Sequence, residues 1–263
     1  MNFEEATKKY GDAMNEYLNT GYSIRDLADK NGLVRSVFTG FLLANGIDVY
    51  SRKSHVNDYI FSKIDNEEKA YWLGFLYADG SVCKFKKSQY VELSLKESDV
   101  EHLRKFAKFM GYPFEPKYRE KQKAYRVQFG SRRVCESLIK LGCTHKKSLT
   151  LKFPIEEQVP NELLRHFIRG YFDGDGCLSI KEYAFKKSPK VTILGTIEFL
   201  TSLRNYLNLG EIPIKKCKNN DSNNYYMMFN VEDARKFLHY IYDNANIFLQ
   251  RKYDKFLEVI PYD

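Results

Sequence analysis

The chain has 263 residues, 43% of them hydrophobic and 29% charged, with a formal net charge of +8, the composition of a globular protein with ample material for a core. No apolar run approaches the ~20 residues of a membrane span, the N-terminus lacks a signal-peptide pattern, and the five scattered cysteines form no C-x-x-C pair, which argues against a disulfide framework or a zinc site and for a reducing, intracellular setting. Residues 1–60 hold 7 Lys/Arg and 8 Asp/Glu while residues 61–263 hold 35 and 26, so the later part is expected to meet nucleic acid; no basic amphipathic helix argues for a membrane.

Residues 3–18 read as a helix. Ser23 is the expected N-cap of a short helix through Lys30, Asn31-Gly32 a turn, and Arg35 to Ala44 a second helix. Ile24, Leu27 and Ala28 form one apolar stripe and Val34, Val37, Phe38, Phe41 and Leu42 another. Two short helices about a Gly turn resemble a helix-turn-helix, in which Arg35, Ser36 and Thr39 would face DNA. The region's slight negative charge suits a plain helical packing module as well. Residues 48–65 show no clear period and read as a linker.

From there the chain repeats. Asp79 and Asp175 lie 96 residues apart, and similar elements follow each. After Asp79 come expected strands Ser81–Lys86 and Gln89–Lys96, a helix Asp99–Met110, strands near Phe114–Arg119 and Lys123–Phe129, and a helix Arg132–Leu141. After Asp175 come strands Cys177–Tyr183 and Lys190–Leu194, a helix Ile197–Leu207, strands near Glu211–Lys216 and Asn224–Val231, and a helix Asp233–Asn244. The order αββαββα thus occurs twice, an α+β design with two antiparallel sheets.

Alternation sets apolar Val91, Leu93 and Leu95 against Tyr90, Glu92, Ser94 and Lys96, and Tyr125, Val127 and Phe129 against Arg126 and Gln128. Helices should cover the apolar rows. The opposite rows offer side chains suited to phosphates and base edges: Lys84, Lys86, Ser94, Arg119, Arg126 and Gln128 in one half, Ser179, Lys181, Lys190, Thr192 and Lys216 in the other. Any one of these alone is an ordinary solvated position; their recurrence in both halves carries the expectation of DNA contact.

Each half opens on a helix that ends in acid, W-L-G-F-L-Y-A-D-G over Trp72–Gly80 and I-R-G-Y-F-D-G-D-G over Ile168–Gly176. Gly74 and Ala78, matched by Gly170 and Gly174, are four apart and share a helix face, so two backbones can approach closely. Parallel packing would bring Asp79 and Asp175 together at ends where the helix dipole is negative. Such a cluster suits Mg2+, a hard cation held by few protein ligands plus water and phosphate.

These two segments resemble the paired signature of the LAGLIDADG homing endonucleases, and the resemblance covers about residues 60–257. It implies a tandem pseudo-dimer whose two sheets lie along a long asymmetric duplex site and which cuts both strands across the minor groove. Residues 1–55 would be an added DNA-binding module, 60–158 the first half and 159–263 the second. Asp79 and Asp175 would bind the catalytic Mg2+ or Mn2+, with Gly80 and Gly176 in the expected metal set. Tyr77 stands where the signature has an earlier Asp, here Asp173, which is not the metal ligand. Arg169 replaces a small apolar residue and is expected to face outward. The family also places a basic residue near each site: Lys146 or Lys147 in the first half, Lys252 or Arg251 in the second. His145 reads as a surface residue and His166 as a structural one.

The expected activity is site-specific, metal-dependent double-strand DNA cleavage by a monomer. Two alternatives use the same basic surface, a non-cleaving transcription regulator and an RNA maturase acting on intron RNA. An intein is disfavoured, since the chain starts Met-Asn and ends Pro-Tyr-Asp.

Overall fold

The computed structural model describes residues 3–20, 22–47, 49, 56–85, 88–145, 147–183, 186–210, 212–217 and 223–259. Three helices come first: α1 (Phe3–Asn19), α2 (Ile24–Lys30) and α3 (Arg35–Ala44). Ser23 caps α2 in a capping box: its Oγ accepts from the Asp26 amide at 3.2 Å, and its own amide donates to the Asp26 carboxylate at 3.0 Å. Gly32 makes the turn into α3 at φ +55°, where a side chain would be strained. Ala13, Tyr17, Leu27, Phe38, Leu42 and Ile47 form a small core of their own. Val34 and Val37, expected in the apolar stripe, are instead 61% and 52% exposed, because only the Phe38–Leu42 side of α3 meets α1 and α2.

The expected linker is only partly that. Residues 51–55 lie outside the described residues, but Val56, Ile60, Phe61 and Ile64 are buried in the main core. The Asn57 amide donates to Met110 O at 2.7 Å, and Asp58 accepts from Ser131 Oγ at 2.5 Å. Aromatic and β-branched residues at irregular spacing leave no period to read, yet they seal the edge of a core.

The first half runs α4 (Glu67–Ala78), β1 (Gly80–Phe85), β2 (Ser88–Lys96), α5 (Val100–Phe109), β3 (Lys117–Arg119), β4 (Ala124–Gly130) and α6 (Arg132–Lys140). The second runs α7 (Leu164–Asp175), β5 (Gly176–Tyr183), β6 (Lys186–Gly195), α8 (Ile197–Tyr206), β7 (Ile214–Lys216), β8 (Tyr225–Met228), α9 (Val231–Tyr242) and α10 (Gln250–Val259). The two four-stranded sheets are antiparallel, with the matching orders β1-β2-β4-β3 and β5-β6-β8-β7. The fold is α+β, as the repeat predicts. Helices α5 and α6 cover the first sheet, and α8, α9 and α10 the second.

Between the halves, α4 and α7 pack along each other in the most extensive contact of any two elements. Both are buried nearly all round, Ala70–Tyr77 in one and Phe167–Asp173 in the other, as expected of helices central to a core. Their closeness rests on glycine. A Cβ on Gly74 would lie 2.0 Å from Phe167 O, one on Gly170 1.9 Å from Tyr71 O, and one on Gly174 2.3 Å from the Ala78 Cβ.

Arg169 corrects the outward-facing expectation. It is fully buried, donating from Nε to Ile247 O and from Nη1 to Ile241 O, both at 2.8 Å, and from Nη2 to Glu67 Oε1 at 2.6 Å. Asp173 is buried beside it. Its oxygens accept from Tyr71 OH (2.8 Å), Tyr242 OH (2.6 Å) and the Leu249 amide (2.7 Å). Arg169 and Asp173 belong to the second half, Glu67 and Tyr71 to the first. Polar pairs therefore cross the interface inside a shell of aromatic rings. No described helix is long and apolar enough to cross a membrane.

Candidate active site

Helix α4 stops at Ala78, and Asp79 is its cap, the amide donating to Phe75 O at 2.9 Å. Helix α7 runs one residue further and ends on Asp175 itself. Gly80 and Gly176, expected within the helices, are the first residues of β1 and β5. Because α4 and α7 run side by side, the two carboxylates meet. A Cβ on Gly174 would lie 3.3 Å from Asp79 Oδ2, so the Asp79 side chain reaches across to the residue before Asp175.

Asp79 is open to solvent and Asp175 half-buried. Burial and the Asp79 charge push the Asp175 carboxyl up to about 6, against the pull of Lys147 and Lys252. Asp79 is raised by desolvation as well, while Lys252, Lys147 and Arg251 lower it. Two acids so placed repel one another, and a cation between them relieves the repulsion. Among the described residues no third His, Cys, Asp or Glu joins them, so water and phosphate oxygens would complete the shell of a Mg2+-type ion.

The lysines are arranged asymmetrically. Lys252, in the first turn of α10, is 3% exposed; its Nζ donates to Phe172 O at 2.5 Å, Asp173 O at 2.8 Å and Gly176 O, closing the C-terminal end of α7. Burial lowers its pKa to about 8, which leaves it charged at neutral pH. Lys147 is half-buried and donates to Gly80 O. Both ammonium groups thus sit on the carbonyls of the two glycines expected in the metal set. That counts against Gly80 and Gly176 as metal ligands, since a bound cation already draws on each oxygen. Lys146 lies outside the described residues. His145 is exposed, its Nδ1 3.3 Å from Val82 O, and His166 lies within α7, 3.7 Å from Glu67.

A cavity of about 310 Å³ opens beside Asp175, with Lys147, Tyr171, Leu194, Thr196 and Asn224 in its wall. A larger cleft of about 920 Å³ lies at the far end of α4, lined by Asn57, Asn66, Glu67 and Lys105, away from the acids.

The strand register sorts the expected DNA contacts. In the first sheet Ser94 pairs with Arg126, and Arg126 with Lys117, all in the row opposite buried Val91, Leu93 and Val127. Arg119 and Gln128 share that row; Ser94 and Arg119 are exposed, and Gln128 is half-buried. Arg126 is tied to Glu92 at 3.0 Å. In the second sheet Ser179 pairs with Lys190 and Thr192 sits opposite Cys177, with exposed Lys181 along the same row. Two expected positions fall in the other row of their strands, although Lys216 is exposed. Position 84 pairs with Gln89, in the row of Val82 and Val91 that the helices cover. Lys216 pairs with Tyr225, in the row of Ile214 and Met227; its neighbour Lys215, opposite Tyr226, has the uncovered parity. A shift of one residue exchanges the faces of a strand. Lys86 lies outside the described residues. On α3, Arg35 and Ser36 are exposed and Thr39 Oγ1 donates to Arg35 O at 2.9 Å.

Sequence reasoning missed Glu67, Tyr71 and Asp99. Asp99 is 8% exposed and receives Arg251 Nε at 3.0 Å on each oxygen. The available signal was an arginine at 169 amid apolar residues, whose partner Glu67 is 102 positions away.

No family model matches the chain. It is 28% identical over 207 residues to the replication factor C small subunit of Methanocaldococcus jannaschii, a match spanning 76% of this chain and 11% of that protein. Among solved structures, it is similar to the I-LtrWI LAGLIDADG homing endonuclease bound to target DNA (13% identity, TM-score 0.49, 74% of this chain and 90% of that one). It is also similar to the LAGLIDADG meganuclease I-AabMI bound to uncleaved DNA (14% identity, TM-score 0.48, 74% and 90%). A third likeness is to I-SmaMI bound to uncleaved DNA in the presence of calcium ions (16% identity, TM-score 0.48, 74% and 90%).

Proposed function

We propose that this chain is a site-specific endonuclease of double-stranded DNA, hydrolysing phosphodiester bonds as a monomer with Mg2+ or Mn2+ held between Asp79 and Asp175. One observation carries the reading: a carboxylate from each half meets the other at one end of the α4–α7 pair, where β1 and β5 begin. The signature that the two segments resemble supports it. A divalent ion bound there supplies a Lewis acid at the scissile phosphate and a more acidic water. The chain's own groups prepare the place. Lys147 and Lys252 favour the ionised carboxylates, and the uncovered rows of the sheets, with Ser94, Arg119, Arg126, Gln128, Ser179, Lys181, Lys190 and Thr192, hold phosphates and read base edges. Helix α3 extends the contact through Arg35 and Ser36.

The test is a library of duplexes incubated with the protein, with and without Mg2+. Discrete double-strand breaks are expected, lost in Asp79→Asn and in Asp175→Asn. Selective duplex binding without a cut under any divalent metal would make the chain a regulator instead, and preference for folded intron RNA would make it a maturase.

A further inference from the structure

The strand pairings repeat, so each place in one uncovered row has a counterpart in the other. In the first sheet Ser81 pairs with Glu92 and Glu92 with Gln128; the next line across the strands is Ser94, Arg126 and Lys117. In the second sheet the same places hold Cys177, Thr192 and Met228, then Leu194, Tyr226 and Lys215. Where the first half sets a carboxylate, an amide and a guanidinium, the second sets a hydroxyl with a methyl, a thioether and an aromatic ring.

Packing does not require this. The helices cover the other row, where Leu178, Val191, Ile193 and Met227 are buried. Leu194 and Met228 are 43% and 42% exposed. With Thr192 and half-buried Tyr226 they form one block, two strands wide, in which paired side chains stand about 5 Å apart. Leu194 also lines the cavity beside Asp175, so the block adjoins the acids. Lysines frame it: Lys190 lies two residues from Thr192 along β6, and exposed Lys215 pairs with Tyr226. An apolar centre in a cationic frame suits the major groove at thymine. The C5 methyl is the apolar group that a base-pair edge offers there, and phosphates flank it. A purely apolar partner would leave the lysines without counter-charge.

We propose that Leu194 and Met228, with Thr192 and Tyr226, read thymine methyl groups in the half-site bound by the second half, while the matching places in the first half read theirs through hydrogen bonds. The target is then asymmetric in chemistry as well as in sequence. The inference rests on the nuclease reading in taking the uncovered rows as the face that meets DNA.

The probe is a randomised duplex pool, from which bound members are selected in EDTA. A·T pairs should be enriched at adjacent positions on one side of the selected site. The selected duplex is then remade with deoxyuridine in place of thymidine, one side at a time, which removes the methyl and keeps every hydrogen-bonding group. On the A·T-enriched side this should weaken binding about threefold to fivefold per methyl, the scale of one buried methyl group, and on the other side by less than about twofold. Met228→Gln, which installs the side chain of the matching place in the first half, and Leu194→Ser should each bring this thymidine preference toward unity. The preference is a ratio measured within one protein, so a general loss of affinity or stability does not imitate it. Equal binding of both duplexes by the wild type, or a preference that survives in both variants, overturns the proposal; if Mg2+ still produces a cut, the nuclease reading stands without it. Selective binding with the preference but without cleavage refutes the nuclease reading and upholds the methyl contact. Selective binding of no duplex refutes both.

Discussion

Asp175 and Lys252 show how a residue type seen in sequence acquires its role from its surroundings. Asp175 titrates near 6 because burial and Asp79 both oppose its charge. In the metal-free protein the folded state therefore holds this proton more tightly than the unfolded chain. The associated destabilisation is present above about pH 6 and fades as the pH falls toward the ordinary carboxyl value of 3.8. Asp175→Asn should make the metal-free protein more stable at pH 7.5 and progressively less so, relative to wild type, at pH 5. Urea midpoints in EDTA across that range measure this, and a difference constant with pH would count against it. The acid was legible in sequence because it recurs 96 residues apart. The burial of Lys252 was not, since nothing near it in the chain announces that two carbonyls of α7 and that of Gly176 receive its ammonium.

At the scale of elements, the α4–α7 pair depends on absent side chains. Gly170→Ala would place a methyl 1.9 Å from Tyr71 O. A backbone carbonyl inside a helix cannot swing aside, so the helices must part. A cost of about 1–3 kcal/mol is expected, with a lower urea midpoint and a loss of cleavage greater than any loss of duplex binding, because the carboxylates move apart. Gly40→Ala in α3, where a Cβ meets nothing within 4 Å, is the control and should not destabilise. Most elements were legible from their periods. Strand β6 was not. It spans Lys186–Gly195, about twice the expected Lys190–Leu194, because Pro189 interrupts the run of strand-forming residues. The proline is tolerated because β6 pairs with β8 only over Thr192–Gly195, so at Pro189 one side of the strand needs no donor.

For the molecule as a whole, the charge and the cores are divided alike. The first three helices carry a separate apolar cluster, while the lysine and arginine excess lies in the two repeated halves. Removing residues 1–55 should leave a folded chain that still cuts, but with weaker or less selective binding; measured affinity and target profile indistinguishable from the full chain would show that α2 and α3 do not read DNA. The duplication was legible because both copies keep the same order of elements. The ties between the copies were not, since Glu67–Arg169 and Asp99–Arg251 join residues 102 and 152 positions apart.

Those ties make the two copies complementary rather than equivalent. Counting 96 residues along the repeat, the place of Tyr71 is taken in the second half by Phe167, and that of Glu67 by Leu163. A second half facing its own duplicate would set the Asp173 carboxylate against a ring with no hydroxyl, one hydrogen bond short, and would replace the carboxylate that neutralises the Arg169 guanidinium by an aliphatic chain. A buried charge without its partner is among the costlier faults a core can carry. The architecture looks twofold, but its interior is handed. Each copy is shaped to meet the other, and not a duplicate of itself.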